Sequence, residues 1–180
     1  MGNRHSVLRR LALWLMPAFM LAAASSSLPA IASPGAEGAR STVSAAFSLK
    51  QVSVNELLSF LAASRGKVIL VNFFAEFCGP CRKEIPELMK LRREIPEKDL
   101  LIVGVAIDEK INEAARFIKS LGIQDAYPVF YGGDEVSRAY RIDAIPFNVI
   151  YNREGRIEAS EAGYVPVSEL RKFLMTLIRR

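Results

Sequence analysis

The segment Cys78-Gly79-Pro80-Cys81 holds both cysteines of the 180-residue chain. Two cysteines at this spacing have three ordinary uses: half of a zinc site, a structural bridge or a redox pair. Zinc takes about four ligands, and the sequence offers no third cysteine and one histidine, His5, near its start. A bridge across so small a loop removes little unfolded-state entropy and stabilises weakly. The setting favours redox chemistry. An apolar run precedes the pair and a helical pattern follows it. Cys78 therefore sits where backbone N–H groups and the helix dipole stabilise a thiolate, with Arg82 and Lys83 adding positive charge. Cys78, at the exposed end, is expected to attack, and Cys81, one turn inside, to resolve.

The elements that must hold this pair can be read on either side of it. Lys67-Val-Ile-Leu-Val-Asn-Phe-Phe74 is continuous and apolar, as in a central strand covered on both faces. A helix is expected from about Cys78 to Ile95, with Ile85, Leu88, Leu91 and Ile95 inward and a kink at Pro86. Upstream, Ser53-x-x-Glu56 reads as a capping box for a short helix that Gly66 ends. Downstream, Leu100–Ile107 reads as a second buried strand, and Ala114, Phe117, Ile118 and Leu121 mark a helix closed at Gly122. Phe147–Tyr151, a turn at Asn152–Gly155 and Arg156–Tyr164 form an expected antiparallel hairpin. Leu170, Phe173, Leu174, Leu177 and Ile178 supply the apolar stripe of a last helix.

Charge narrows the function further. The chain carries 24 Lys and Arg against 19 Asp and Glu, but three of those bases lie in residues 1–32, which hold no acid. The remainder has 21 against 19, a poor footprint for nucleic acid. With no histidine after His5, Ser-His-Asp and Cys-His nucleophiles are excluded there. Arg4, Arg9 and Arg10, the 14-residue apolar run Leu11–Ala24 and Ala30-Ile31-Ala32 describe a secretory signal peptide over 1–32. An uncleaved membrane anchor is the alternative, although Pro17 and the following serines interrupt a span that needs about 20 apolar residues. Residues 33–44, small and polar, read as a flexible tether, and 45–180 as a single domain.

Asn72-Phe-Phe-Ala-Glu-Phe-Cys-Gly-Pro-Cys-Arg-Lys-Glu-Ile-Pro-Glu-Leu88 resembles the active-site segment of the thioredoxin superfamily, nearest to its secreted TlpA/ResA-like branch. Pro86 and the Ile145-Pro146 pair match that pattern too. The resemblance implies an α/β, thioredoxin-like fold: a central mixed β-sheet flanked by α-helices. It implies thiol-disulfide exchange with no cofactor beyond the Cys78–Cys81 disulfide and no metal. Pro146 would form a cis-proline loop opposite the cysteines, with Ile145 offering its N–H and C=O to a client. Phe77, Gly79, Pro80, Ile145 and Phe147 would line the client site. The implied setting is periplasmic, with disulfide-bearing clients such as apocytochromes c and an inner-membrane thiol-disulfide electron transporter as electron source. Membrane contact would come only through the N-terminal segment, if uncleaved.

The chain departs from that pattern at three places. Phe74 and Phe77 replace tryptophans common before the first cysteine, and Phe147 stands where Thr often follows the proline. Asn72 occupies the position of the buried Asp of cytoplasmic thioredoxins, though Asn is usual in this branch. An amide cannot accept the proton of a resolving thiol, so resolution must use water, a client group or a carboxylate such as Glu76 or Glu109. Glu76, two residues before Cys78, reads either as a tuner of the thiol's acidity or as a solvated surface charge. Asp108-Glu109-Lys110 reads as a solvated helix cap, and Gly132-Gly133-Asp134 as a turn with a helix N-cap. Tyr127, Phe130, Tyr131 and Tyr140 read as core or rim.

Two classes of function remain. One is a thiol-disulfide oxidoreductase, chiefly a reductant, with disulfide oxidase or isomerase as its variants. The other is a thiol-based copper-binding module, which the missing histidine disfavours.

Overall fold

The structure is a computed structural model that describes residues 47–180. The leader expected over 1–32 and the tether over 33–44 lie outside the described residues. The strand Val68–Phe74 (β2) is buried along its whole length, as its unbroken apolar sequence requires of a strand covered on both faces. It pairs in parallel with Leu100–Ala106 (β3) and antiparallel with Phe147–Tyr151 (β5). Two short strands, Lys50–Gln51 (β1) and Val129–Tyr131 (β4), and the hairpin partner Ile157–Ala162 (β6) complete a six-stranded mixed sheet ordered β1-β4-β3-β2-β5-β6.

Helices cover both faces. Val54–Ala63 (α1) and Gly133–Ala139 (α4) pack on one, where Leu57 and Val136 meet Val71, Phe73 and Val103. Gly79–Glu94 (α2), Ile111–Leu121 (α3) and Val167–Ile178 (α5) pack on the other, where Ile85, Leu88, Phe117 and Leu174 meet Leu70, Phe74 and Ile102. The expected capping box closes α1: the Ser53 side chain accepts from Glu56 N–H while Glu56 accepts from Ser53 N–H. Gly122 ends α3 at φ 68°, a left-handed conformation that costs residues with a Cβ.

Of three local expectations, one needs correction. α2 continues through Pro86, as expected; the proline removes one bond, to the Arg82 carbonyl, without ending the helix. The helix N-cap expected at Gly132-Gly133-Asp134 is there: Gly132 is the N-cap of α4, and no side chain caps it. Asp108 is no solvated cap. It is 1% exposed, and α3 starts later, after Lys110.

Candidate active site

β2 delivers the chain to the cysteines at its C-terminal end. Phe74 is followed by a turn, closed by the Cys78 N–H to Ala75 carbonyl bond at 3.1 Å, and α2 begins at Gly79. Cys78 is the N-cap of α2, and the Cys81 N–H points at its Sγ at 3.1 Å. The two sulfurs form a disulfide. Once reduced, the same N–H and the helix N-terminus would face a Cys78 thiolate, which lowers a thiol's pKa. Cys81 is fully buried and Cys78 is 5% exposed, with exposed Gly79 and Pro80 between them. Phe77, next to Cys78 in the chain, is 74% exposed.

The loop ahead of Cys78 is clamped from two sides. The Arg82 guanidinium donates to the Glu76 carbonyl at 2.7 Å and to its carboxylate at 2.9 Å, and it stacks on the Phe117 ring at 4.6 Å. Arg82 is thus engaged with Glu76 rather than left free for the Cys78 sulfur. On the other side, the Glu76 N–H donates to Asp108 Oδ1 at 2.7 Å. The Tyr131 hydroxyl holds the Asp108 and Glu109 carbonyls at 3.0 and 3.2 Å. Burial pushes the Asp108 carboxyl above its ordinary value, with the charges of Glu76 and Glu113 adding to the rise and the Glu76 N–H opposing it.

The carboxylate inside the site is one that the sequence reading missed. Glu84 is 0% exposed and lies one turn beyond Cys81 on α2. Its Oε2 accepts from Asn72 Nδ2 at 2.9 Å, and its Oε1 accepts from Asn148 Nδ2 at 3.0 Å and from the Val165 N–H at 3.4 Å. Asn72 Nδ2 also donates to Asn148 Oδ1 at 2.9 Å, across the paired strands β2 and β5. Burial drives the Glu84 carboxyl up, and these donors hold it back only in part. Of the carboxylates named from the sequence as replacement bases, Glu109 is exposed and Glu76 is bound to Arg82. A signal for Glu84 did exist. Cys81, Ile85 and Leu88 define an inward stripe that includes position 84, and Asn72 and Asn148 are polar residues in apolar strands.

The Ile145–Pro146 peptide bond is cis, as the resemblance implied. It immediately precedes β5, whose Phe147 lies opposite Phe73 of β2. Pro146 is buried, Ile145 and Phe147 are half-buried, and the Ile145 N–H and C=O bond no described backbone group. Among the described residues no cluster of three or more His, Cys, Asp or Glu is placed to hold a metal ion.

Comparison with known proteins agrees with this geometry. Residues 24–174 match the Redoxin family. The chain belongs to the redoxin family. Within it, ResA of Oceanobacillus iheyensis, named a thiol-disulfide oxidoreductase, is 31% identical over 130 residues, covering 71% of this chain and 67% of that one. ResA of Bacillus subtilis is 28% identical over 66% of this chain and 65% of its own length. The match thus spans about two thirds of these relatives. The crystal structure of a thiol-disulfide isomerase from Corynebacterium glutamicum aligns with a TM-score of 0.60 at 25% identity, covering 74% of this chain and 96% of that one. The family match, the ResA relatives and the Cys78–Cys81 pair place this redoxin among thiol-disulfide oxidoreductases of the ResA type.

Proposed function

We propose that this redoxin reduces disulfides in exported client proteins, apocytochromes c among them, and that it works outside the cytoplasm. The observation that carries the reading is Cys78 Sγ at the N-cap of α2, 3.1 Å from the Cys81 N–H. The leader pattern at 1–32 supports the location, and the family resemblance supports the clients.

The reaction follows from the site. The Cys78 thiolate attacks one sulfur of a client disulfide; a client thiolate leaves and takes up a proton, and a mixed disulfide remains. Cys81 then gives its proton to the Glu84 carboxylate, one turn along the same helix face, and attacks the Cys78 sulfur. The second client thiolate leaves and is protonated. The client has gained two electrons and two protons, and the protein holds the Cys78–Cys81 disulfide. Ile145 presents its free N–H and C=O to the client as a strand edge would, with Phe77, Gly79, Pro80 and Phe147 around it and Pro146 shaping the loop. Glu76, tied to Arg82, shapes the approach to Cys78. The disulfide itself is the only redox group required. A return to the dithiol draws electrons from a membrane thiol-disulfide transporter.

A Cys-x-x-Cys-His peptide in its disulfide form tests this. The Cys81→Ser protein should accumulate a mixed disulfide at Cys78, and Cys78→Ser should not. Equal trapping by both variants, or by neither, would remove the assignment.

A further inference from the structure

The pairing of β2 with β3 runs one bond past both strands, from the Ile107 N–H to the Phe74 carbonyl at 2.9 Å. Asp108 is thereby carried alongside Glu76, and its Oδ1 accepts the Glu76 N–H at 2.7 Å. The backbone of Asp108 is itself fixed. The Tyr131 hydroxyl reaches the Asp108 and Glu109 carbonyls, and Gly133 leaves room for that side chain, since a Cβ there would lie 3.1 Å from Tyr131 Oη. Arg82 holds the other end of Glu76, donating to its carbonyl at 2.7 Å. Glu76 is thus gripped at both its N–H and its C=O. Phe77 comes next and is 74% exposed, so the backbone at Glu76, rather than packing, sets where its ring stands. The Asp108 carboxyl takes no part in the proton transfers above. Its Oδ2 is buried without a partner among the described residues, and burying a charge costs more than burying a neutral acceptor. What the charge supplies is strength: a hydrogen bond to an ionised acceptor is about twice as strong as a neutral one.

We propose that Asp108 is a positioning residue for the client site: its bond to the Glu76 N–H fixes the loop that presents Phe77 to an incoming client. Ionised Asp108 latches the loop. Protonated Asp108 keeps only a neutral bond to the same N–H and lets the loop loosen. Burial raises the Asp108 carboxyl above its ordinary 3.8; the Glu76 N–H opposes the rise, and the charges of Glu76 and Glu113 add to it. The loosening therefore sets in as pH falls through a midpoint above 3.8. The titratable and charged groups around Asp108 come from four places. Glu76 of the loop pairs with Arg82 of α2, and Glu113 of α3 pairs with Lys110 ahead of it. Glu109 is the next residue in the chain, and Tyr131 of β4 bonds the Asp108 carbonyl.

Phe77 as a client contact rests on the function proposed above, and two disulfides keep that reading apart from the latch. One is the Cys-x-x-Cys-His peptide in its disulfide form. The other is hydroxyethyl disulfide, which carries no side chain for Phe77 to contact. With the reduced full chain, Asp108→Ala should raise the half-saturating peptide concentration about three- to tenfold more than that of hydroxyethyl disulfide. With Phe77→Ala already in place, Asp108→Ala should add no such difference. The preference for the peptide should also fall as pH drops through the Asp108 midpoint, because loss of the Cys78 thiolate slows both disulfides alike. Asp108→Asn, which keeps an oxygen for the Glu76 N–H, should remove that pH dependence. In the oxidised full chain, 15N–1H NMR of the Glu76 amide should show a titration with a midpoint above 3.8 that Asp108→Asn abolishes. Equal losses on both disulfides, or an undiminished effect in the Phe77→Ala background, would overturn the role. If neither disulfide is reduced, the proposed function falls and the amide titration alone decides the latch: its abolition by Asp108→Asn sustains it, and its persistence overturns it.

Discussion

Replacing Glu84 by Gln removes the one fully buried carboxylate beside the resolving cysteine while keeping its size. Two of its three donors are amide N–H groups at 2.9 and 3.0 Å. Glutamine offers an oxygen to one of them and an NH2 to the other. One buried donor therefore loses its acceptor, at a cost of about 1–3 kcal/mol, offset in part because no charge is buried. The kinetic consequence is larger. With no base at position 84, Cys81 must ionise unaided, and an ordinary thiol of pKa about 8.5 is only about 3% thiolate at pH 7. Burial raises that pKa further. Resolution should then be at least about 30-fold below its alkaline plateau at pH 7 and climb about tenfold per pH unit. The unmutated protein should instead be flat once Glu84 is ionised, falling only on the acid side. Rapid acid quench of a single turnover, with mass spectrometry of the mixed disulfide at Cys78, reads both profiles. Superimposed profiles for the two proteins would refute the role of Glu84.

The reduced Cys78 thiol should alkylate with an apparent pKa of about 6–7.5, against about 8.5 for a free thiol, because it caps α2; an iodoacetamide rate profile checks this, and a midpoint at or above the free value contradicts it. Stability should carry the signature of Glu84 as well. Its folded pKa is raised above the ordinary 4.5, so the folded chain holds that proton more tightly than the unfolded one, and this contribution is lost as pH rises through the raised midpoint. In urea titrations Glu84→Gln should therefore gain on the unmutated protein from about pH 4.5 upward until Glu84 is fully ionised. A gap that moves the other way would reverse the sign of the shift.

The fold and the cysteine pair were legible because their signals are local. Seven consecutive apolar-strand residues, a capping box within four residues and an i, i+3, i+4 stripe in α5 each specify an element without distant help. β1 and β4 were not read from the sequence, since two- and three-residue strands show no periodicity and exist through pairing. Glu84 was missed for a different reason. Its burial depends on Asn72, 12 residues away, and on Asn148, 64 away, and a lone glutamate in a helix ordinarily reads as solvated. Asp108 misled in the same way. An acid ahead of a helix looks like a cap until the Glu76 N–H, 32 residues upstream, claims it.

The reduction potential of the Cys78–Cys81 couple tests the central claim most directly. Equilibration of the full chain with glutathione or dithiothreitol buffers, read by alkylation and mass, measures it. A reductant of client disulfides should lie near the thioredoxin value of about −270 mV. A potential near about −120 mV would mark a disulfide donor and contradict the account.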